Sequence, residues 1–316
     1  GTTQLVGPTQ DDTASVLTNI GFDFYMLGTR FTTFSASSNG YVRLGGVIST
    51  TQYTLGTAGV TLIGAYGSDE FTSTTGKVHY KVTGSAPNRV LTIEFLNQTI
   101  IYDGAGATAD GTSQVRLYES TGVIELVYGG MNRNSSTGFM GGNDPQFIGF
   151  STNSTANTFA TVNVSTNAVN TTGTVTSNLP TNGAAIPNIN TPVNGSRRIY
   201  SFTPPVPTAP TALNFTGVTP LAMTLNWTDS PNESSYAVYR SLDGTNFTFD
   251  ASLAQNATSY SPSGLSPNTT YFWRVFGVSD GALSTALAGS QATGSGGVIT
   301  STAAGGLWSA PATWVG

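Results

Sequence analysis

Apolar and polar residues alternate with a period of two along most of the chain, in short segments separated by Gly, Asn, Asp and Pro. This pattern is typical of half-buried β-strands, and no 11-residue stretch keeps its apolar residues at helical spacing. Residues 113–128 contain two alternating segments on either side of Thr121-Gly122, which predicts a hairpin. The pattern therefore predicts an all-β protein with almost no helix.

Other segments complete this prediction. Arg89–Tyr102 is predicted as a long strand with a bulge, and Gln146–Ser151 as a short strand. Asn39-Gly40 supplies a left-handed turn between two further strands. Ser196–Phe202 is predicted as the strand that closes the first domain.

Changes in composition divide the chain. Residues 152–195 are rich in Thr, Asn, Ser and Gly, which favours long loops and edge strands covering a sandwich, with a disordered linker as the alternative. Thr203–Pro210 is a proline-rich linker. We predict a jelly-roll-like β-sandwich over residues 1–203, a second domain over 204–293 and an extended tail over 294–316.

Composition and charge exclude several classes of function. The 316 residues correspond to roughly two domains. Only 9% of them are charged and the net charge is −5, so no basic surface is available for nucleic acid. No apolar segment approaches the roughly 18 residues that span a bilayer, so we expect no membrane insertion. Without cysteine, disulfides, thiolate metal sites and cysteine nucleophiles are impossible.

The segment from Pro205 to Thr293 resembles a fibronectin type III domain. Leu225 and Trp227 match its second strand, and Tyr271, followed by Trp273, matches its tyrosine corner. The resemblance implies an immunoglobulin-like sandwich in which the Tyr271 hydroxyl binds backbone while its ring packs inside. It also implies a spacer or an assembly surface.

The first domain resembles nidogen-like and related β-sandwich modules of secreted bacterial surface proteins. Ile20–Leu44, which contains Ser38-Asn39-Gly40-Tyr41, carries this resemblance. It implies an extracellular module without implying catalysis. The tail, Gly294–Gly316, is similar to the linker and first strand that precede a further β-rich module in long bacterial surface proteins. It is a natural terminus, a processed end or a truncated join.

No residues in the sequence form a catalytic motif. His79 is the only histidine, and the alternation in GKVHYKV puts it on a solvated strand face. Glu94, Glu119 and Glu125 could supply a glycosidase-type carboxylate pair, but no local motif selects two of them. We therefore predict that the protein is not an enzyme and has no catalytic or cofactor-binding residues.

Calcium is the one cofactor that the sequence leaves open. Asp103 and Asp110 bracket a glycine-rich loop of a kind that can hold calcium at the rim of a sandwich. Glycine and aspartate are also ordinary turn residues, which favours an empty loop.

Twelve N-x-S/T sequons occur, and Asp12-Thr13-Ala14 resembles an acceptor for O-glycans on secreted bacterial proteins. Thr13, Asn97, Asn134 and Asn153 are the candidate glycosylation sites.

The tail carries apolar residues that a segment of its length cannot bury within itself. Trp308 and Trp314 lie on one face at a period of two, and Leu307 and Val315 lie on the other. The candidate assembly residues are Val298, Ile299, Leu307, Trp308, Trp314 and Val315.

We therefore hypothesise a non-enzymatic extracellular structural protein at the cell surface. It would be a subunit of a bacterial surface filament or adhesive layer, assembled head to tail by strand donation from the tail to further copies of itself. The alternative is a glycan-binding or adhesin fragment of a larger secreted multidomain protein. Exposed aromatic rings forming a flat platform on the first domain would favour the alternative.

Overall fold

The computed structural model describes residues 1–100, 108–133, 146–152, 159–164, 166–171, 176–177, 186, 188–189, 198–297, 300–301 and 314–315. These residues form strands, turns and loops, and they contain no helix that could cross a membrane. Two compact units are present. The first comprises Gly1–Pro205 with Asp280–Ala282, and the second comprises Val206–Ser279 with Leu283–Gly316.

The first unit is a β-sandwich of two antiparallel sheets. Its strands are β1 Thr3–Val6, β2 Thr18–Met26, β3 Thr29–Ala36, β4 Tyr41–Leu44, β5 Thr61–Gly67, β6 Phe71–Thr83, β7 Val90–Thr99, β8 Gly111–Tyr118, β9 Ile124–Met131, β10 Gln146–Ser151, β11 Phe159–Asn163, β12 Ala168–Asn170, β13 Thr176–Ser177 and β14 Ile199–Phe202. One sheet has six strands in the order β1-β6-β7-β8-β9-β14. The other has eight, in the order β12-β11-β10-β5-β4-β3-β2, with β13 beside β10.

The predicted hairpin is confirmed in β8 and β9. Leu117 lies opposite Ile124 and Val115 lies opposite Leu126, so alternation places all four side chains on one buried face. The predicted bulge in β7 is also confirmed. Its register shifts between Phe95 and Gln98.

One hydrophobic core lies between the two sheets. Ile93, Val115 and Leu126 of the six-stranded sheet pack in the same cluster as Phe34 and Ile63 of the eight-stranded sheet. A smaller cluster forms around Tyr41, Ile48, Leu55, Leu62 and Phe147. This second cluster shows that both faces of the eight-stranded sheet bury apolar side chains.

The Thr- and Asn-rich segment contributes edge strands in its described part. β11 pairs with β10, and β12 pairs with β11 at the edge of the eight-stranded sheet. The closing strand β14 pairs with β9, as the prediction for Ser196–Phe202 requires.

The second unit is a smaller sandwich. Its strands are β15 Thr211–Thr216, β16 Thr224–Thr228, β17 Ser235–Ser241, β18 Thr248–Ala254, β19 Ser259–Tyr260, β20 Thr270–Ser279, β21 Ala282–Leu283 and β22 Leu287–Ala292. β15-β16-β19 form one sheet, and β18-β17-β20-β21 form the other, with β22 also paired to β20. Trp227 and Trp273 lie in its core. The tyrosine corner is confirmed, because the Ser266 N–H donates to the Tyr271 hydroxyl at 2.9 Å.

Two short strands are described in the tail, β23 Thr300–Ser301 and β24 Trp314–Val315. They pair antiparallel with each other, Thr300 with Val315 and Ser301 with Trp314. The tail therefore supplies a two-residue ladder of its own.

Candidate functional site

A chain of polar side chains crosses the outer face of the six-stranded sheet. His79 on β6 lies at its centre, with Nδ1 2.9 Å from Thr2 Oγ1 and Nε2 2.5 Å from Glu94 Oε2. Gln114 donates to Glu94 Oε1 at 2.6 Å, and its own carbonyl oxygen accepts from Arg116. These contacts form because alternation points the residues of β6, β7 and β8 to the same face, and Thr2, directly before β1, reaches them there.

His79 differs from the prediction of a solvated position. Its side chain is buried, and it forms an ion pair with Glu94. The prediction was wrong because Thr2 and Glu94, 77 and 15 residues away in sequence, cover the ring. Such long-range partners leave no local signal.

The other two candidate glutamates also have partners. Glu119 accepts from Arg89 Nε at 2.7 Å and NH2 at 2.5 Å, and this hydrogen bonding raises the pKa of the Arg89 guanidinium. Glu125 accepts from the Tyr118 hydroxyl at 2.6 Å. Burial and this hydrogen bond raise the pKa of Tyr118. Glu94, Glu119 and Glu125 therefore each have their own hydrogen-bond partners.

The Thr2, His79 and Glu94 contacts have the connectivity of a hydroxyl–imidazole–carboxylate relay. A cavity of about 190 Å³ lies over them and is also lined by Lys81 and Gln114. Hydrogen bonding of this kind orients an imidazole and also joins strands β6 and β7. A catalytic relay would lose activity when the Thr2 hydroxyl is removed, whereas a purely structural contact would lose only stability.

A carboxylate cluster that the sequence analysis missed lies near the start of the chain. Carboxylate oxygens of Asp11, Asp12 and Asp69 lie within 4.8 Å of one another. Asp12 accepts from the Tyr53 hydroxyl at 2.7 Å and from Asn39 Nδ2 at 3.0 Å. Burial, then the charge of Asp12, raises the pKa of Asp11. The cluster joins residues 57 positions apart in sequence, so no spacing motif predicts it.

Asp110 is part of the interior. It is 2% exposed, and its Oδ2 accepts from the Ile100 N–H at 2.8 Å. Calcium binding at this loop stays a prediction. Asp103 lies outside the described residues.

Two of the four candidate glycosylation sites are described. The Thr13 hydroxyl donates to the Asp11 carbonyl at 2.8 Å, and Asn97 Nδ2 donates to Thr75 Oγ1 at 3.2 Å. Both side chains are partly buried in the folded chain. Asn134 and Asn153 lie outside the described residues.

The assembly residues are described only in part. Trp314 and Val315 form strand β24, whereas Val298, Ile299, Leu307 and Trp308 lie outside the described residues. Exposed large apolar side chains in the described part of the chain are Val16, Leu17, Val47, Val169, Ile199, Val206, Val218, Leu221 and Leu242. No aromatic residue is among them.

Comparisons with known proteins agree with this architecture. A family model described as NIDO related matches residues 1–204, and a model of the fibronectin type III domain matches residues 208–290. Both resemblances found in the sequence are thereby confirmed.

Similar individual proteins cover only part of the chain. A poly(3-hydroxybutyrate) depolymerase from Delftia acidovorans is 38% identical over 76 residues, which span 23% of this chain and 14% of that enzyme. The solved structure of FN3tt is 25% identical with a TM-score of 0.26, covering 28% of this chain and 97% of its own. An Fn3-like protein from Clostridium thermocellum is 28% identical with a TM-score of 0.23, covering 25% of this chain and 84% of its own.

The matched regions account for both sandwiches. The chain belongs to the NIDO-related family and carries a fibronectin type III domain after its NIDO-related domain.

Proposed function

We propose that this chain is a non-catalytic structural subunit that assembles head to tail outside the cell. The tail of one copy adds a β-strand to the first unit of the next copy. Because donor and acceptor surfaces differ, such contacts build open fibres or layers instead of closed rings. Main-chain hydrogen bonds supply affinity in this mode, and alternate side chains supply specificity.

The observation that carries this proposal is the edge position of β2 in the eight-stranded sheet, where no further described strand pairs with it. Val16 and Leu17, directly before β2, are 78% and 46% exposed. Edge strands of monomeric proteins are normally protected by charge, proline or a covering segment, because an apolar edge invites pairing. The exposed apolar pair Val16 and Leu17 at the start of this edge fits a partner strand that carries apolar side chains.

The tail is a suitable donor. In the described part of the tail, the ladder between β23 and β24 contains two residue pairs, and opening these pairs loses few hydrogen bonds, each worth about 0.5–1.5 kcal/mol net. Trp314 and Val315 are then available to a longer ladder. The second unit has the strands of a fibronectin type III sandwich, which favours the first unit as the acceptor.

Glycan binding is supported less well. Sugar-binding faces commonly use exposed aromatic rings as apolar platforms with a polar rim. Among the described residues no Phe, Tyr or Trp side chain is among the exposed large apolar groups.

Deletion of residues 298–316 tests the assembly. We expect two folded units that remain monomeric by sedimentation velocity, whereas the full chain forms fibres or layers visible by electron microscopy. Substitution at the acceptor edge, Val16→Lys with Leu17→Lys, should have the same effect. Leu242→Lys, which changes an exposed leucine of the second unit, is the matched control and should assemble normally. Normal assembly by the deleted chain would overturn the proposal.

An esterase assay tests whether the Thr2–His79–Glu94 contacts are non-catalytic. We expect the wild type to hydrolyse p-nitrophenyl acetate no faster than Thr2→Ala, because the hydroxyl serves to bind the ring. Hydrolysis above the buffer rate that disappears in Thr2→Ala and in His79→Gln would identify an esterase instead.

A further inference from the structure

A cavity in the first unit lies at one end of the eight-stranded sheet. Its volume is about 410 Å³, and it is formed where β3 and β5 begin and where β4 and β10 end. Thr29, Thr61 and Thr152 line it, and Phe31 contributes an aromatic ring. Arg43 on β4 is the one charged residue among the described residues that line it. The cavity therefore combines a positive charge, several hydroxyl groups and an apolar wall.

Arg43 is held in place but has few partners. Its Nη1 donates to the Val47 carbonyl oxygen at 2.8 Å. Its Nε is buried and has no hydrogen-bond partner among the described residues. Arg43 also takes no part in the ion pairs found there, whereas Arg30 on β3 pairs with Asp23 at 2.6 Å. Because a guanidinium carries five N–H donors, this side chain retains donors for a ligand.

Two glycines after β4 shape this end of the cavity. A Cβ on Gly46 would lie 2.8 Å from Arg43 Nη2, and a Cβ on Gly45 would lie 3.0 Å from the Phe31 ring. The Gly46 carbonyl oxygen accepts from the Ser35 hydroxyl at 3.0 Å, which holds the turn against β3. The guanidinium is therefore oriented before a ligand arrives, and such preorganisation lowers the entropic cost of binding.

A cation without a counter-charge favours an anionic ligand. A carboxylate matches a guanidinium well, because its two oxygens accept parallel hydrogen bonds from the planar group. Threonine hydroxyls donate to and accept from hydroxyl groups of a ligand. The volume of about 410 Å³ falls in the range of sites for small molecules. The lining of the cavity thus suits a small molecule that carries both a carboxylate and hydroxyl groups.

We propose that Arg43, with Thr29 and Thr61, binds a small hydroxylated carboxylate such as a uronate in this cavity. The site differs from an aromatic sugar platform, because the charge of Arg43 selects the ligand. Neither the tail nor Val16 and Leu17 at the acceptor edge contribute to it. Assembly and ligand binding can therefore fail separately in experiments.

An NMR titration of the ¹⁵N-labelled full chain with D-glucuronate tests the site. We expect saturable shifts of the Arg43 Nε–H signal and of the Gly45 and Gly46 amide signals. D-glucose, which has the ring and hydroxyl groups without the carboxylate, should bind at least tenfold more weakly. Equal affinity for the two sugars, or no saturable shift at millimolar glucuronate, would overturn the proposal.

Variants separate the charge from its position. Arg43→Gln should weaken glucuronate binding by about tenfold or more, since it removes the charge-assisted hydrogen bonds. Gly46→Ala keeps the charge but displaces the guanidinium, so it should weaken binding as well. Arg274→Gln, which removes an arginine of the second unit that lies over the Phe247 ring, is the matched control and should retain wild-type affinity.

The variant Thr61→Val tests the hydroxyl contribution and keeps both the shape of the side chain and the charge of Arg43. It should weaken glucuronate binding several-fold, and it provides the comparison if Arg43→Gln fails to fold. Wild-type affinity in Arg43→Gln, or in both Gly46→Ala and Thr61→Val, would overturn the proposal.

Discussion

Glu70 in the first unit and Glu233 in the second are equally buried, at 2% and 3% exposed, yet their surroundings differ. Glu233 Oε1 accepts from the Asn256 N–H at 2.9 Å. Glu70 Oε1 has no such partner among the described residues. Burial of a carboxylate therefore does not by itself indicate a ligand site. The two residues differ in their hydrogen-bond partners, although a buried polar atom in a native protein is normally hydrogen-bonded.

The contrast extends to how the two units organise polar side chains. In the second unit, Arg240 pairs with Asp250 at 3.0 Å, and Tyr260 donates to the same carboxylate at 2.8 Å. In the first unit, a chain of contacts from Thr2 through His79 to Glu94 joins residues far apart in sequence. The polar contacts of the second unit join residues 10 positions apart, whereas those of the first unit join residues up to 77 positions apart.

The largest expected effect is a loss of stability in the second unit alone. Trp227 is buried and packs against Tyr236 with ring centroids 5.5 Å apart. Trp227→Ala should destabilise the second unit by about 3–5 kcal/mol through the cavity it creates. All four tryptophans lie at residue 227 or later, so tryptophan fluorescence follows the second unit and the tail alone. Circular dichroism should show unchanged unfolding of the first unit, and equal destabilisation of both units would contradict their separation.

A smaller effect is expected in the polar chain of the first unit. Glu94→Ala leaves His79 and Gln114 without their shared acceptor, which should cost about 1–3 kcal/mol in urea unfolding of this unit. The double variant His79→Ala with Glu94→Ala should cost less than the sum of the single variants, because the contact is lost only once. Strict additivity would show that the 2.5 Å contact contributes nothing.

The smallest effect concerns alkaline pH and the second unit. Burial, followed by the hydrogen bond to Asp250, raises the pKa of Tyr260 from its ordinary value near 10 to about 12. A raised folded-state pKa means that the stabilisation is complete below pH 10 and is lost as the pH rises towards 12. The melting temperature of the wild type should therefore fall more steeply across this interval than that of Tyr260→Phe. Parallel curves for the two proteins would contradict this role of Tyr260.

Local patterns in the sequence predicted much of the fold. Leu117 and Ile124 lie seven residues apart, and alternation alone indicates that they share a face. Tyr271 binds the backbone of Ser266, five residues earlier, within one recognisable motif. The hairpin and the tyrosine corner were predictable because each is encoded within a short segment.

The polar sites were not predictable in the same way. Asp69 reaches Asp11 and Asp12 only because separate segments of the first unit meet there. Glu70 and Asp110 are 40 residues apart in sequence. Each lies in a segment rich in turn residues, where an acidic side chain is ordinary. Burial and partner geometry distinguish such residues from solvated acids, and both depend on the complete fold.

Disulfide trapping between copies tests head-to-tail assembly most directly, because the chain has no cysteine of its own. Leu17→Cys in one copy and Gly316→Cys in another place single thiols at the acceptor edge and beside the donated strand. On mixing under mild oxidation, we predict disulfide-linked heterodimers that form faster than those from Leu242→Cys with Gly316→Cys. Equal rates for the two mixtures, or an internal disulfide in a chain carrying both Leu17→Cys and Gly316→Cys at high dilution, would contradict strand donation between copies.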